Sequence, residues 1–212
     1  QTGERKEMSL NGKIAVVTGG ARGLGRAISL KLARDGAAVS VWDLNLNGAE
    51  DTAQTIREEG GMAIACGGNS AKADDIAKNI ERTHAELGLV TILVNNAALS
   101  PFLKFENITE QIWDDLMAIN LKGPFLCCKA IIPDMLTAGW GRIINIASVV
   151  GLVLAKCRLE GFAAFFDSAE RHPALLAIDA DRFPVAAVVL VDTPWQPVRP
   201  GAISGGGRLR RG

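Results

Sequence analysis

Thr18-Gly19-Gly20-Ala21-Arg22-Gly23-Leu24-Gly25 is the segment of this chain best suited to hold an anion. It lies between a short apolar run, Lys13–Val17, and a stretch of helical periodicity, Leu24–Arg34. A pyrophosphate is bound by backbone N–H groups at a helix N-terminus, and side chains would block its approach. Glycines at Gly19, Gly23 and Gly25 permit that approach and the tight turn it needs. The spacing is G-x-x-x-G-x-G, not the general G-x-G-x-x-G, so a purely structural turn is the competing reading. Asp43 ends the next apolar run, about 20 residues on. A carboxylate there accepts hydrogen bonds from ribose hydroxyls and repels a 2′-phosphate, which favours NAD. Arg22 pulls toward NADP, because a guanidinium in the loop can pair with that phosphate. NAD is the expected cofactor and NADP the alternative; a structural loop residue is the plain reading of Asp43.

The elements that would position these groups alternate as far as residue 150. Strands are expected at Lys13–Val17, Ala38–Trp42, Met62–Cys66, Thr91–Val94 and Arg142–Ile146. Helices are expected at Leu24–Arg34, from Asn47 or Gly48 to Glu59, at Ala73–Leu87 and at Thr109–Ala138. Pro124 and Pro133 should kink or split the last of these. Nearly all-apolar strands alternating with helices indicate a parallel sheet covered on both faces. Right-handed crossovers make it doubly wound, a three-layer αβα arrangement of Rossmann type.

Composition narrows the field. The chain has 212 residues, 48% of them hydrophobic, and no formal net charge. That suits one α/β domain and gives no electrostatic footprint for nucleic acid or an anionic membrane. No uninterrupted apolar run approaches the ~20 residues of a spanning helix. Gln1–Leu10 carries no apolar signal-peptide core; Met8 reads as the natural start after an upstream Gln1–Glu7, and residues 1–9 as an N-terminal extension ahead of the domain. Cys66, Cys127, Cys128 and Cys157 form no C-x-x-C pair, and the histidines, His84 and His172, are isolated, so no metal site is expected. Reduced thiols point to a cytoplasmic protein.

Taken together, these residues resemble the short-chain dehydrogenase/reductase family, near its 3-oxoacyl-carrier-protein-reductase-like members. The resemblance runs from Leu10 to Leu152. Thr18–Gly25, Asp43, Asn95-Asn96-Ala97-Ala98, Asn120 and Ser148 carry it, in order and at the right separations. It implies cofactor contacts from Thr18, Gly19, Arg22, Gly23, Leu24, Gly25, Asp43, Asn69, Asn95 and Ala97. Asn69 stands where the family has an Asp near adenine N6, and its oxygen can still accept there. Ser148 would hydrogen-bond the substrate carbonyl, and Asn120 would position a water in a proton relay. Outside the resemblance, both read as structural residues. The implied chemistry is hydride transfer between nicotinamide and a small carbonyl compound or secondary alcohol, in a homo-oligomer.

Past residue 152 the resemblance stops. The family's proton donor is a Tyr some thirteen residues after the Ser, with a Lys four residues further on that lowers its pKa. Gly161 and Phe165 stand at those places, and the chain contains no tyrosine at all. Lys156 has no such partner, and His172 is the remaining, remote candidate for an acid. Residues 153–212 hold seven Arg against one Lys, and five of the eight Pro. That is the composition of a shifted reading frame in a GC-rich gene, so this segment is expected to be foreign to the family and its structure degenerate or irregular. Within it, Glu160–Arg171 reads as a helix and Pro184–Val191 as a strand, with a disordered tail from Gly201. Three readings follow for the whole chain: a dehydrogenase or ketoreductase with impaired turnover, an inactive dinucleotide-binding remnant or regulatory module, or a fragment that misfolds.

Overall fold

The computed structural model of the chain describes residues 9–101, 103–148 and 186–190. Five strands alternate with helices: β1 (Ile14–Thr18), α1 (Gly23–Arg34), β2 (Ala38–Asp43), α2 (Leu46–Glu58), β3 (Ala63–Gly67), α3 (Ala73–Glu86), β4 (Ile92–Asn95), α4 (Glu110–Met117), α5 (Gly123–Thr137) and β5 (Arg142–Ser148). A sixth strand, β6 (Ala186–Leu190), follows. The sheet order is β3-β2-β1-β4-β5-β6. The first five strands are parallel, as the apolar runs predict.

The parallel sheet expected up to residue 150 carries one further strand at its edge. β6 runs antiparallel to β5, with Ser148 opposite Ala186 and Ile144 opposite Leu190. An antiparallel neighbour needs no crossover helix between the two strands, unlike the parallel pairs. The expected helix Glu160–Arg171, the tail from Gly201, and Gly161 and Phe165 lie outside the described residues.

Side-chain alternation along each strand builds two cores. Ala15, Val17, Val39, Val41 and Val94 face α1 and α2, where Ile56 is fully buried. Val16, Trp42, Ile64 and Leu93 face α3 and α5, meeting Ile76, Cys127 and Ile131. Three polar side chains of the second core pair with one another: Trp42 Nε1 donates to Ser40 Oγ at 2.8 Å, and Ser40 and Thr83 share a hydrogen bond of 2.8 Å. Asp134 of α5 accepts from Val90 N at 2.9 Å and pairs with His84 of α3 at 2.6 Å. These bonds clamp both helices to the start of β4.

The long helix expected at Thr109–Ala138 is split, as its prolines suggest, into two helices joined by a π-helical turn, Ala118–Lys122. Pro124 sits in the first turn of α5, where its missing N–H does least harm. It has no N–H to offer the carbonyl of Asn120 four residues earlier, and the wider turn falls there. Pro133 lies inside α5 without ending it. The stretch Glu110–Thr137 is also long and apolar enough to cross a membrane by length and composition, with a mean hydropathy of 1.3 over 18 residues. Its apolar residues are scattered among polar ones and lie partly on the face packed against the sheet.

Candidate functional site

The C-terminal ends of β1, β2, β3 and β4 open onto one cleft of about 750 Å³. Ligand sites in open α/β sheets fall at this place, where the strand order reverses, and in this size range. Its middle is the β1–α1 loop. Gly19, Gly23 and Gly25 line the cleft, as do Thr18, Arg22 and Leu24.

The loop is cut to fit something that approaches its backbone. A Cβ on Gly25 would stand 2.1 Å from the Gly19 carbonyl oxygen, so a side chain there is incompatible with this turn. Gly23 has φ +54°, a conformation that favours glycine, and a Cβ there would meet nothing within 4 Å. The space in front of Gly23 is therefore open. No side chain caps α1, and its first turn holds no acidic residue. By contrast, Asn45 caps α2 and Thr109 caps α4. The unpaired N–H groups and the positive helix end at α1 suit a phosphate.

Asp43 holds this loop in place. Its Oδ2 accepts from Ala21 N at 3.0 Å and its Oδ1 from Asn45 N at 2.9 Å. Each oxygen retains a lone pair for a ribose hydroxyl. Arg22 is exposed at the mouth, and its guanidinium makes no hydrogen bond or ion pair with the described residues.

The opposite wall comes from β4. Ala97 lines the cleft as expected, but Asn95 does not. Asn95 is buried, and its Nδ2 donates to Asn145 Oδ1 at 2.8 Å, tying β4 to β5. Asn95 closes the strand with its side chain between strands, where it holds β4 to β5. The neighbour passed over by sequence reasoning, Asn96, lines the cleft instead. Its Nδ2 donates to the carbonyls of Thr18 at 3.0 Å and Gly19 at 3.1 Å. Thr18 Oγ1 in turn accepts from Asn96 N and Ala97 N, both at 3.0 Å. The two strand ends are thus knotted beneath the glycine loop.

Asn69 lines the cleft on the β3 side, with its Oδ1 already accepting from Ala71 N at 2.8 Å. Asn120 lies in the π-helical turn, and its side chain is spent on the backbone of Leu99 at the cleft rim. Ser148 ends β5. Among the thiols, burial pushes Cys128 up, partly offset by the Asn95 amide beside it.

A family model described as short chain dehydrogenase matches residues 13–159. The chain belongs to the short-chain dehydrogenase family. The match runs past the boundary that the motifs set at residue 152. Similar proteins include a 3-oxoacyl-acyl-carrier-protein reductase of Staphylococcus epidermidis, 40% identical over 143 residues, 66% of this chain and 57% of that protein. A reductase of the same description from Pseudomonas aeruginosa is 37% identical over 164 residues, 73% of this chain and 66% of that protein. A solved structure described as a short-chain alcohol dehydrogenase from Sinorhizobium meliloti superposes with a TM-score of 0.64 at 33% identity, covering 67% of this chain and 56% of that one. The chain therefore spans between half and two thirds of the length of these relatives.

Proposed function

We propose that the described domain is the dinucleotide-binding unit of an NAD(P)-dependent short-chain dehydrogenase, with NAD the preferred form. One observation carries this reading: the uncapped start of α1, cleared of side chains at Gly23 and Gly25, faces the same cleft as Asp43. Backbone N–H groups from Gly23 to Gly25 would hold the phosphates. Asp43 would take the adenosine ribose, and Ala97 and Leu99 would border the path toward β5. A bound nicotinamide supplies or accepts a hydride. Ser148 would orient a carbonyl or secondary alcohol, and Asn120, through its backbone in the π-helical turn, would hold a water of the proton path.

Turnover is impaired in this chain. A proton must accompany the hydride, and the chain has no tyrosine to carry it. General acid–base catalysis contributes roughly 10²–10⁴ in rate, so turnover on β-ketoesters and secondary alcohols should fall to about 10⁻³ of an intact relative. The second reading, a dinucleotide-binding module without turnover, is favoured by that same missing tyrosine. Fluorescence titration with NADH tests the common premise: saturable binding is expected, and no binding at millimolar NADH would overturn it. Normal turnover on the substrate panel would refute the impairment. Sequencing the encoding DNA tests the origin of residues 153–212: an alternative frame that restores Tyr-x-x-x-Lys supports a frameshift, and its absence from both frames refutes it.

A further inference from the structure

We propose that Asn79 reads the base of the dinucleotide, its side-chain amide pairing with the N6–H and N7 edge of adenine. The inference rests on the cleft's assignment as a dinucleotide site.

Asn79 lies on α3 and is 7% exposed. Every other buried polar side chain described has a hydrogen bond, whereas the Asn79 amide has none among the described residues. Buried polar groups are nearly always paired, so an unpaired one calls for a missing partner. No described side-chain atom is sealed from solvent without a partner, so the amide is reached from the cleft that Asn79 lines. Gly68, at φ +155°, keeps the space beside it clear: a Cβ there would lie 3.3 Å from Asn79 Nδ2.

The position suits a base. Phosphates at α1 and a ribose at Asp43 direct the base outward, over the ends of β2 and β3, where Gly68, Asn69 and Ser70 line the cleft. Ile76 lines it one helical turn before Asn79 and offers an apolar surface for a flat ring. Asn69 Oδ1 accepts from Ala71 N, and the Asn69 backbone N–H goes to Asp75 at 2.9 Å, which holds that side chain against its own loop. Asn79 has a free donor and a free acceptor side by side. Adenine presents the complement, an N6–H donor beside the N7 acceptor. Hypoxanthine has a carbonyl oxygen in place of the amino group and presents two acceptors on that edge.

The test compares NADH with reduced nicotinamide hypoxanthine dinucleotide by fluorescence titration of the full chain and of Asn79→Leu. The wild-type chain should bind NADH roughly tenfold more tightly than the analogue. Asn79→Leu should lose that preference by weakening NADH alone, without a fall in Tm, because an unpaired amide is replaced by an apolar group of similar size. Equal binding of both dinucleotides by the wild-type chain would overturn the assignment of Asn79 and leave the dinucleotide site standing. So would a preference that survives in Asn79→Leu. Should the substitution unfold the chain, the wild-type preference decides alone. Binding of neither dinucleotide would overturn the site itself.

Discussion

Asn120 and Leu99 are joined by two reciprocal hydrogen bonds: Asn120 Nδ2 donates to the Leu99 carbonyl, and Leu99 N–H donates to Asn120 Oδ1, both at 2.8 Å. The pair fixes the cleft rim to the π-helical turn between α4 and α5. It also places the backbone distortion of that turn, where Pro124 offers no N–H, beside the end of β4. Asn120 is thus a strut for the cleft as well as a candidate water holder.

Asn120→Leu removes both bonds while keeping side-chain volume. The bonds are solvent-exposed, so the loss of stability should be about 1 kcal/mol, a fall in Tm of about 2–4 °C for a chain of this size. The specific signature is amide exchange. The Leu99 N–H should exchange faster in the variant, while β1 and β2 amides keep their protection. Unchanged Leu99 exchange would show that the rim is held by other contacts.

The glycines of the phosphate loop separate space from conformation. Gly25→Ala drives a methyl to 2.1 Å from the Gly19 carbonyl and 2.5 Å from Asn96 Nδ2, so backbone must move. Stability should fall by about 3 kcal/mol, near the top of the overpacking range, and NADH binding should vanish. Gly23→Ala meets nothing within 4 Å, but it forces a side chain into φ +54°. That costs about 1 kcal/mol, and the methyl intrudes on the phosphate position. Gly23→Ala should therefore fold well and bind NADH poorly. Thermal melts paired with NADH titration distinguish the two variants, and full binding by Gly23→Ala would remove the loop from the phosphate site.

Much of this was readable in the sequence, for a physical reason. Strands buried on both faces, such as Ala15–Val17 and Ile92–Val94, show as unbroken apolar runs. The phosphate loop announces itself because only glycine tolerates its geometry. The choice between Asn95 and Asn96 was hidden, because it depends on how the end of β4 packs against Thr18, a contact 78 residues apart in sequence. Asn79 passes for a surface residue of a polar helix, although Ile76, Asn79 and Thr83 share the buried face at helical spacing. The direction of β6 was equally hidden, since an apolar run of strand length says nothing of its neighbour.

Cofactor preference should follow Asp43 and Arg22. Asp43→Asn keeps one acceptor for Ala21 N or Asn45 N and removes the negative charge from the ribose position. The ratio of NADPH to NADH affinity should rise at least about tenfold, as expected for losing a like charge close to a 2′-phosphate. Arg22→Gln should lower NADPH affinity more than NADH affinity, and the difference should shrink at high salt because the guanidinium is exposed. An unchanged ratio in Asp43→Asn would mean that the carboxylate serves only to hold the loop.

Cys127 sets an alkaline limit on stability. It is fully buried at the contact between α5 and the sheet, and burial pushes its thiol from 9.0 up to about 12. Burial also raises Cys66. A buried thiol of raised pKa stays protonated in the folded chain while the unfolded chain releases its proton near pH 9. The unfolded state then binds fewer protons, so stability is fully present below pH 9 and declines as pH rises toward 12. The slope contributed by Cys127 approaches about 1.4 kcal/mol per pH unit within that window. Urea unfolding measured from pH 8 to pH 11 should show this decline, and Cys127→Ala should flatten it while lowering stability at pH 8 through the lost packing. An equally steep decline in Cys127→Ala would assign the alkaline limit to other groups.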